Sequence, residues 1–284
     1  MKKVIVCDSG LGGLNIASHF FAPGTAAQEK CELIYINACP SPFYGFNKLS
    51  SDRKQEEVFR DVLESMKKFE PDLCLIACNT LSIIYERLKK WYTPGFEVAG
   101  IIDIAVDGMF EVLQSDPGSS VLILGTKTTV GSGSYSEKLI AKGIAPARIK
   151  GLACPGLATL LESDPASTEV QKEIAQYAEK AVGLFETPPQ KLFCALCCTH
   201  FGFASKFWIK EFSRRFSGFE SLVNPNDLMG NEFSAENFRY CSRIDFYPGA
   251  KEAMSRYFEK TAPQLSSGLL CAECDPGLFP FSKG

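Results

Sequence analysis

Apolar residues along this chain gather in short runs, and each run is closed by small polar residues or glycine. Amphipathic stretches separate the runs. Residues 4–7, 32–38, 72–78, 120–124, 149–153, 191–197, 221–224 and 242–247 read as strands, and 98–104 is apolar again. Buried strands have this length and these flanks. Helical spacing appears at Val58, Val62, Met66 and Phe69 within 50–69, and at Val170, Ile174, Tyr177 and Ala181 within 168–185. Further helices are predicted from about Leu14 and over 81–91, 105–114, 135–142, 207–216 and 250–260. The tail beyond is rich in Gly, Pro and Ser and reads as loosely held.

Strands alternating with helices predict an α/β fold with mainly parallel sheets. The two halves share an order: strand, loop, helix, then a later strand ending in cysteine. That cysteine is followed by Asn79-Thr80 in the first half and by Thr199-His200 in the second. The expected architecture is two similar doubly wound α/β lobes with the site in the cleft between them. The first lobe comprises 1–96 plus 208–284, and the second 97–207.

Composition narrows the function classes. The chain has 284 residues, 45% hydrophobic and 22% charged, with a net charge of −3 and no long run of one sign. Nothing there marks a nucleic-acid or membrane surface, and no apolar run could span a bilayer. The apolar run before Asp8 is too short for a signal peptide, so a cytoplasmic protein is expected. Twelve cysteines is a high count. Without a secretory segment a disulfide framework is not expected, and buried cysteine packs well as a small hydrophobe. Two C-x-x-C pairs, Cys194/Cys197 and Cys271/Cys274, hint at zinc. On a strand, however, positions three apart point to opposite faces, whereas a zinc knuckle needs a turn. No metal is expected.

The chemistry gathers at strand ends, where open α/β sheets bind ligands. Cys78 with Asn79 and Thr80 ends one run; Cys198 with Thr199 and His200, one of two histidines, ends another. Asp8-Ser9-Gly10-Leu11-Gly12-Gly13 joins the first strand to a helix start, which suits an anion. It lacks the spacing of a dinucleotide fingerprint, and a small carboxylate fits it at least as well. Residues 125–129 form a second small-residue rim, carrying Thr126 and Thr129. Two thiols can act as acid and base, since a thiol with pKa near about 8.5 can be tuned toward neutrality. Each residue also has a plainer use. The cysteines could be strand-end hydrophobes, Asp8 a helix N-cap and His200 a loop bridge. A Ser-His-Asp hydrolase lacks its G-x-S-x-G elbow, and a papain-like pair lacks its local signature.

The ordered pieces DSGLGG (8–13), FYG (43–45), ACNT (77–80), GTKTTVGSGSY (125–135), ACPG (153–156) and CTHFG (198–202) resemble the glutamate racemase family, within the wider aspartate/glutamate racemase superfamily. The resemblance implies that Cys78 and Cys198 are the catalytic acid and base. It places Asp8, Ser9, Tyr44, Gly45, Asn79, Thr80, Thr199 and His200 at catalytic-support and substrate-contact positions, with Thr126 and Thr129 in the matching rim. It further implies a small acidic amino-acid substrate, no cofactor, a homodimer and, in a bacterium, D-glutamate for peptidoglycan. A related racemase of aspartate or a hydantoin, or a non-catalytic ligand-binding relative, shares the same signals. The chain departs from the pattern at the CPSPF insertion before Tyr44, at Cys197, Gly156 and Asn224, and past Leu265. These departures bear on pocket shape and substrate size.

Overall fold

The computed structural model describes residues 1–22, 29–43 and 45–281. Among them are nine strands: β1 (Lys2–Asp8), β2 (Glu29–Asn37), β3 (Leu73–Ile76), β4 (Glu97–Gly100), β5 (Ser119–Gly125), β6 (Ile149–Ala153), β7 (Lys191–Cys197), β8 (Phe219–Val223) and β9 (Phe233–Ser242). The chain divides into two compact units. Met1–Ile101 and Met229–Gly284 form the first, and Ile102–Leu228 the second. Among the described residues no helix is long and apolar enough to cross a membrane.

The first unit is built on a five-stranded sheet in the order β4-β3-β1-β2-β9, with every pair parallel. Its central strands are apolar almost without a break because helices cover both faces; Val4, Ile5, Val6 and Cys7 are all fully buried. Helix Asp52–Met66 starts where the Ser51 side chain accepts the Lys54 N–H. It buries Val58, Phe59, Val62, Leu63 and Met66 on one stripe, against the face that carries Ile5, Ile34 and Ile76. The chain leaves that helix through Glu70, which takes a left-handed conformation (φ 50°) before Pro71.

Two expectations for this unit are corrected. The last strand is Phe233–Ser242, not 242–247. As an edge strand it exposes Glu236, Asn237 and Arg239, which interrupts its apolar pattern. Beyond it the Ser242 hydroxyl accepts the Ile244 N–H and turns the chain away. Nor is the tail loose. Helix Pro263–Leu270 buries Leu265 and Leu269, while Leu278 and Phe279 join the core of the unit. The few leucines and phenylalanines among the glycines and prolines are enough to anchor it.

The second unit holds a four-stranded sheet in the order β6-β5-β7-β8, again all parallel. The expected return to the first lobe at 208 therefore comes later, at Met229. The reason is pairing: β8 adds to β7, from Leu192 opposite Phe219 to Ala195 opposite Val223. Helix Ser205–Arg215, which leads into β8, stays with it. Two α-helices here were not predicted, Lys127–Gly131 and Leu157–Ser163.

Phe279 is 1% exposed and packs in the core of the first unit. Phe279→Ala should cost about 3–5 kcal/mol, read as a lowered midpoint in urea unfolding; an unchanged midpoint would show that the tail adds nothing to stability.

Candidate functional site

In the first unit, β1 and β3 are parallel neighbours, with Cys7 opposite Ile76. Their carboxyl ends therefore deliver Asp8 and Cys78 side by side. Asp8 is fully buried and Cys78 is 6% exposed. Cys78 occupies the N-cap position of helix Asn79–Leu88, so its sulfur stands at a helix start. The Ser9 hydroxyl lies 3.1 Å from the Cys78 sulfur. Asn79 and Thr80 are buried in the first turn of the same helix.

Close packing holds this loop down. A Cβ at Gly13 would stand 2.9 Å from the Asp8 Cβ and 3.1 Å from the Ala77 Cβ, so only glycine lets the chain pass there. The Tyr35 hydroxyl donates to the Gly10 carbonyl at 2.7 Å, which ties the loop to β2. Ser82 donates to the Ile76 carbonyl and accepts the Ile101 N–H, fixing the end of β3 from behind.

Burial, and then the neighbouring Asp8, push the Cys78 thiol up to about 12. The Ser9 hydroxyl and the Leu81 and Ser9 N–H groups pull the other way without cancelling this. At neutral pH Cys78 is therefore a thiol, a proton donor held in a dry place. The sequence had suggested tuning toward neutrality, and for this cysteine burial reverses that.

The second unit repeats the construction. β5 and β7 are parallel neighbours, with Gly125 opposite Cys197. Thr126 and Cys198 leave the sheet side by side. Thr126 caps helix Lys127–Gly131, accepting the Thr129 N–H at 3.1 Å, and the two threonine hydroxyl oxygens are 2.9 Å apart. A side chain at Gly125 would place its Cβ 2.9 Å from the Thr129 methyl. The Asn226 amide donates to the Thr199 carbonyl at 2.8 Å and fixes the turn after β7.

Cys198 is 5% exposed. Its sulfur lies 3.8 Å from Nδ1 of His200, and Nε2 of His200 lies 2.7 Å from Oε1 of Glu162. Burial works against the His200 cation. The Glu162 charge and the hydrogen bonds to Cys198 and Glu162 outweigh it and hold the imidazole pKa well above its ordinary value. The result is a relay of carboxylate, imidazole and sulfur. Glu162 was missed in the sequence. It is a buried acid on a short helix, in a segment where the sequence predicts no helix.

No protein-family model matches the chain. Its sequence is 27% identical over 230 residues to the glutamate racemase of Campylobacter jejuni, covering 80% of this chain and 82% of that protein. It is 32% identical over 182 residues to the glutamate racemase of Staphylococcus aureus, covering 60% of each. The chain is a relative of the glutamate racemases. The solved glutamate racemase of Francisella tularensis, in complex with D-glutamate, shares its fold at a TM-score of 0.66 and 17% identity. That match covers 91% of this chain and 94% of the other.

In this glutamate racemase relative, Asp8, Ser9, Cys78, Asn79 and Thr80 converge at one sheet end of the first unit. Thr126, Thr129, Cys198, Thr199 and His200 converge at the corresponding end of the second. Gly45 caps the short turn Phe46–Lys48, and Lys48 donates its N–H to the Gly45 carbonyl. Tyr44 lies outside the described residues. Cys154 and Cys197 are buried packing residues whose thiols burial pushes upward. Cys194 is fully buried within β7, while Cys271 and Cys274 are exposed in the tail. Among the described residues no group of three or more His, Cys, Asp or Glu is placed to hold a metal ion.

The His200–Glu162 pair makes a prediction with a definite sign. A histidine whose folded pKa is raised contributes stability that is fully present below its unfolded pKa, about 6.5. That contribution fades as pH rises through the raised folded value. Glu162→Gln should therefore destabilise the chain most in mildly acidic solution, with the gap narrowing toward alkaline pH. Urea midpoints across pH measure it, and a gap that widens toward alkaline pH would contradict the assignment.

Proposed function

We propose that the chain is an amino-acid racemase that interconverts L- and D-glutamate by proton transfer at Cα, with Cys78 and Cys198 as the acid and base. The observation that carries this reading is the repeated construction. Each unit offers one nearly buried sulfur at the end of a central parallel strand, and each sulfur has its own proton partner.

One sulfur, as thiolate, takes the Cα proton, and the other, as thiol, returns a proton to the opposite face. The two have then exchanged states, and the reverse reaction runs as the mirror image. Cys78 enters as the thiol because burial and Asp8 keep it protonated. Cys198 faces the Nδ1 side of a histidine held by Glu162, so negative charge on its sulfur meets a cation. A substrate ammonium near Asp8 would offset the charge that keeps Cys78 protonated and ready it for the return step. Ser9, Asn79, Thr80, Thr126, Thr129 and Thr199, joined by Tyr44 and Gly45, hold the substrate's carboxylates and ammonium. N–H groups and hydroxyls suffice for this. The reaction as written needs no cofactor. A homodimer in the cytoplasm, supplying D-glutamate for peptidoglycan, completes the reading.

Polarimetry of glutamate together with Cα deuterium uptake in heavy water tests it. Cys78→Ser and Cys198→Ser should each cut racemisation by about a thousand-fold, within the range a positioned acid or base contributes. Full activity in either variant would sink the two-base mechanism. Faster turnover of aspartate than of glutamate by the unaltered chain would reassign the substrate.

A further inference from the structure

A cavity of about 350 Å³ lies along the free side of edge strand β9 in the first unit, away from every candidate site residue named above. The tail builds its outer wall. Ser242 bridges to Cys274, and the Asp275 N–H donates to the Ser242 carbonyl at 2.7 Å. Helix Pro263–Leu270 closes one side through Gly268, and Lys68 and Phe69 close another.

Two cations of this cavity share one aromatic ring. The Arg239 guanidinium and the Lys68 ammonium each stand 5.3 Å from the centroid of the same Phe69 ring. Arg239 has no ion pair among the described residues. Its partners are that ring and the Cys241 thiol. The acid on Lys68 is Asp275, at 3.8 Å, with the two side chains 46% and 60% exposed. Such a pair adds little stability and leaves the ammonium available. Where β9 ends, Arg243 lies over the Phe279 and Phe281 rings at 5.3 and 5.5 Å. Its Nε and Nη1 are buried with no acceptor among the described residues. Arg243 and the two rings stand outside the cavity lining. Two acids, Glu273 and Asp275, also line the cavity, against the two cations Lys68 and Arg239.

We propose that this cavity binds a small organic anion, of the phosphate or carboxylate class, gripped by Arg239 and Lys68. An arginine offers paired donors that match either group, and the lysine adds a point charge. The apolar floor of Phe69 and Leu278 takes the body of the ligand. The volume is at the small end of ligand sites, which sets the ligand's size. Part of the wall is made by the chain past Leu265, outside the motifs that carry the family resemblance. The site does not depend on the proposed racemisation.

Titration calorimetry on the full chain with inorganic phosphate and, separately, with citrate tests this. Saturable binding of either probe is expected, and the probe that binds names the class. Arg239→Gln should weaken that binding by about ten-fold or more, as loss of a charged hydrogen bond does, and Lys68→Gln by a smaller factor. Lys67→Gln, whose ammonium pairs with Glu64, should leave it unchanged. If neither probe binds at millimolar concentration, or if Arg239→Gln and Lys68→Gln bind as tightly as the unaltered chain, the proposal is overturned.

Discussion

Parallel register between the two central strands of each sheet is the constraint on which the rest depends. In the first unit, Cys7 opposite Ile76 makes Asp8 and Cys78 emerge together. In the second, Gly125 opposite Cys197 does the same for Thr126 and Cys198. A slip of one residue would turn every side chain to the other face, and the buried faces forbid it. The chemistry is thus positioned by the most rigid part of each unit, while the loops supply hydroxyls and N–H groups. Gly13 and Gly125 belong to the same constraint, because a side chain at either would push its loop off the strand ends.

The same placement gives the two thiols unlike neighbours. Around Cys78 the neighbours are a buried carboxylate and a serine hydroxyl, and both the burial and the carboxylate favour the protonated thiol. Around Cys198 the nearest titratable neighbour is an imidazole biased toward its cation by Glu162. A two-base reaction needs one acid and one base at the start of each turnover. In the proposed reaction the unlike neighbours would tell the two sulfurs apart. The cost of the arrangement is a buried His–Glu pair, which loses its worth if either partner is removed.

Much of this was legible in the sequence because the physics was local. Short apolar runs closed by Cys-Asn-Thr or Cys-Thr-His mark strand ends whatever lies around them. What stayed hidden was what only tertiary contact decides. Glu162 sits on a seven-residue helix whose sequence carries no strong period, and its importance comes from a histidine 38 positions away. β9 was misplaced because an edge strand does not alternate cleanly. The domain return was placed too early because β8 is short and half-exposed, and its allegiance is set by pairing with β7.

Composition misleads most at the tail. Gly, Pro and Ser suggest a loose end by composition, yet only a few well-spaced apolar anchors are needed to hold a segment. Here Leu265, Leu269, Leu278 and Phe279 suffice. They hold the tail against the side of β9, where an uncovered edge would invite pairing with another chain. The Ser242–Cys274 bridge and the Asp275 hydrogen bond satisfy the end of that edge, and the exposed charges of Glu236 and Arg239 guard the rest. A segment that covers an edge only at its end leaves a gap upstream. That gap is the cavity lined by Arg239 and Lys68, so protection of the edge and the proposed anion site have one structural origin.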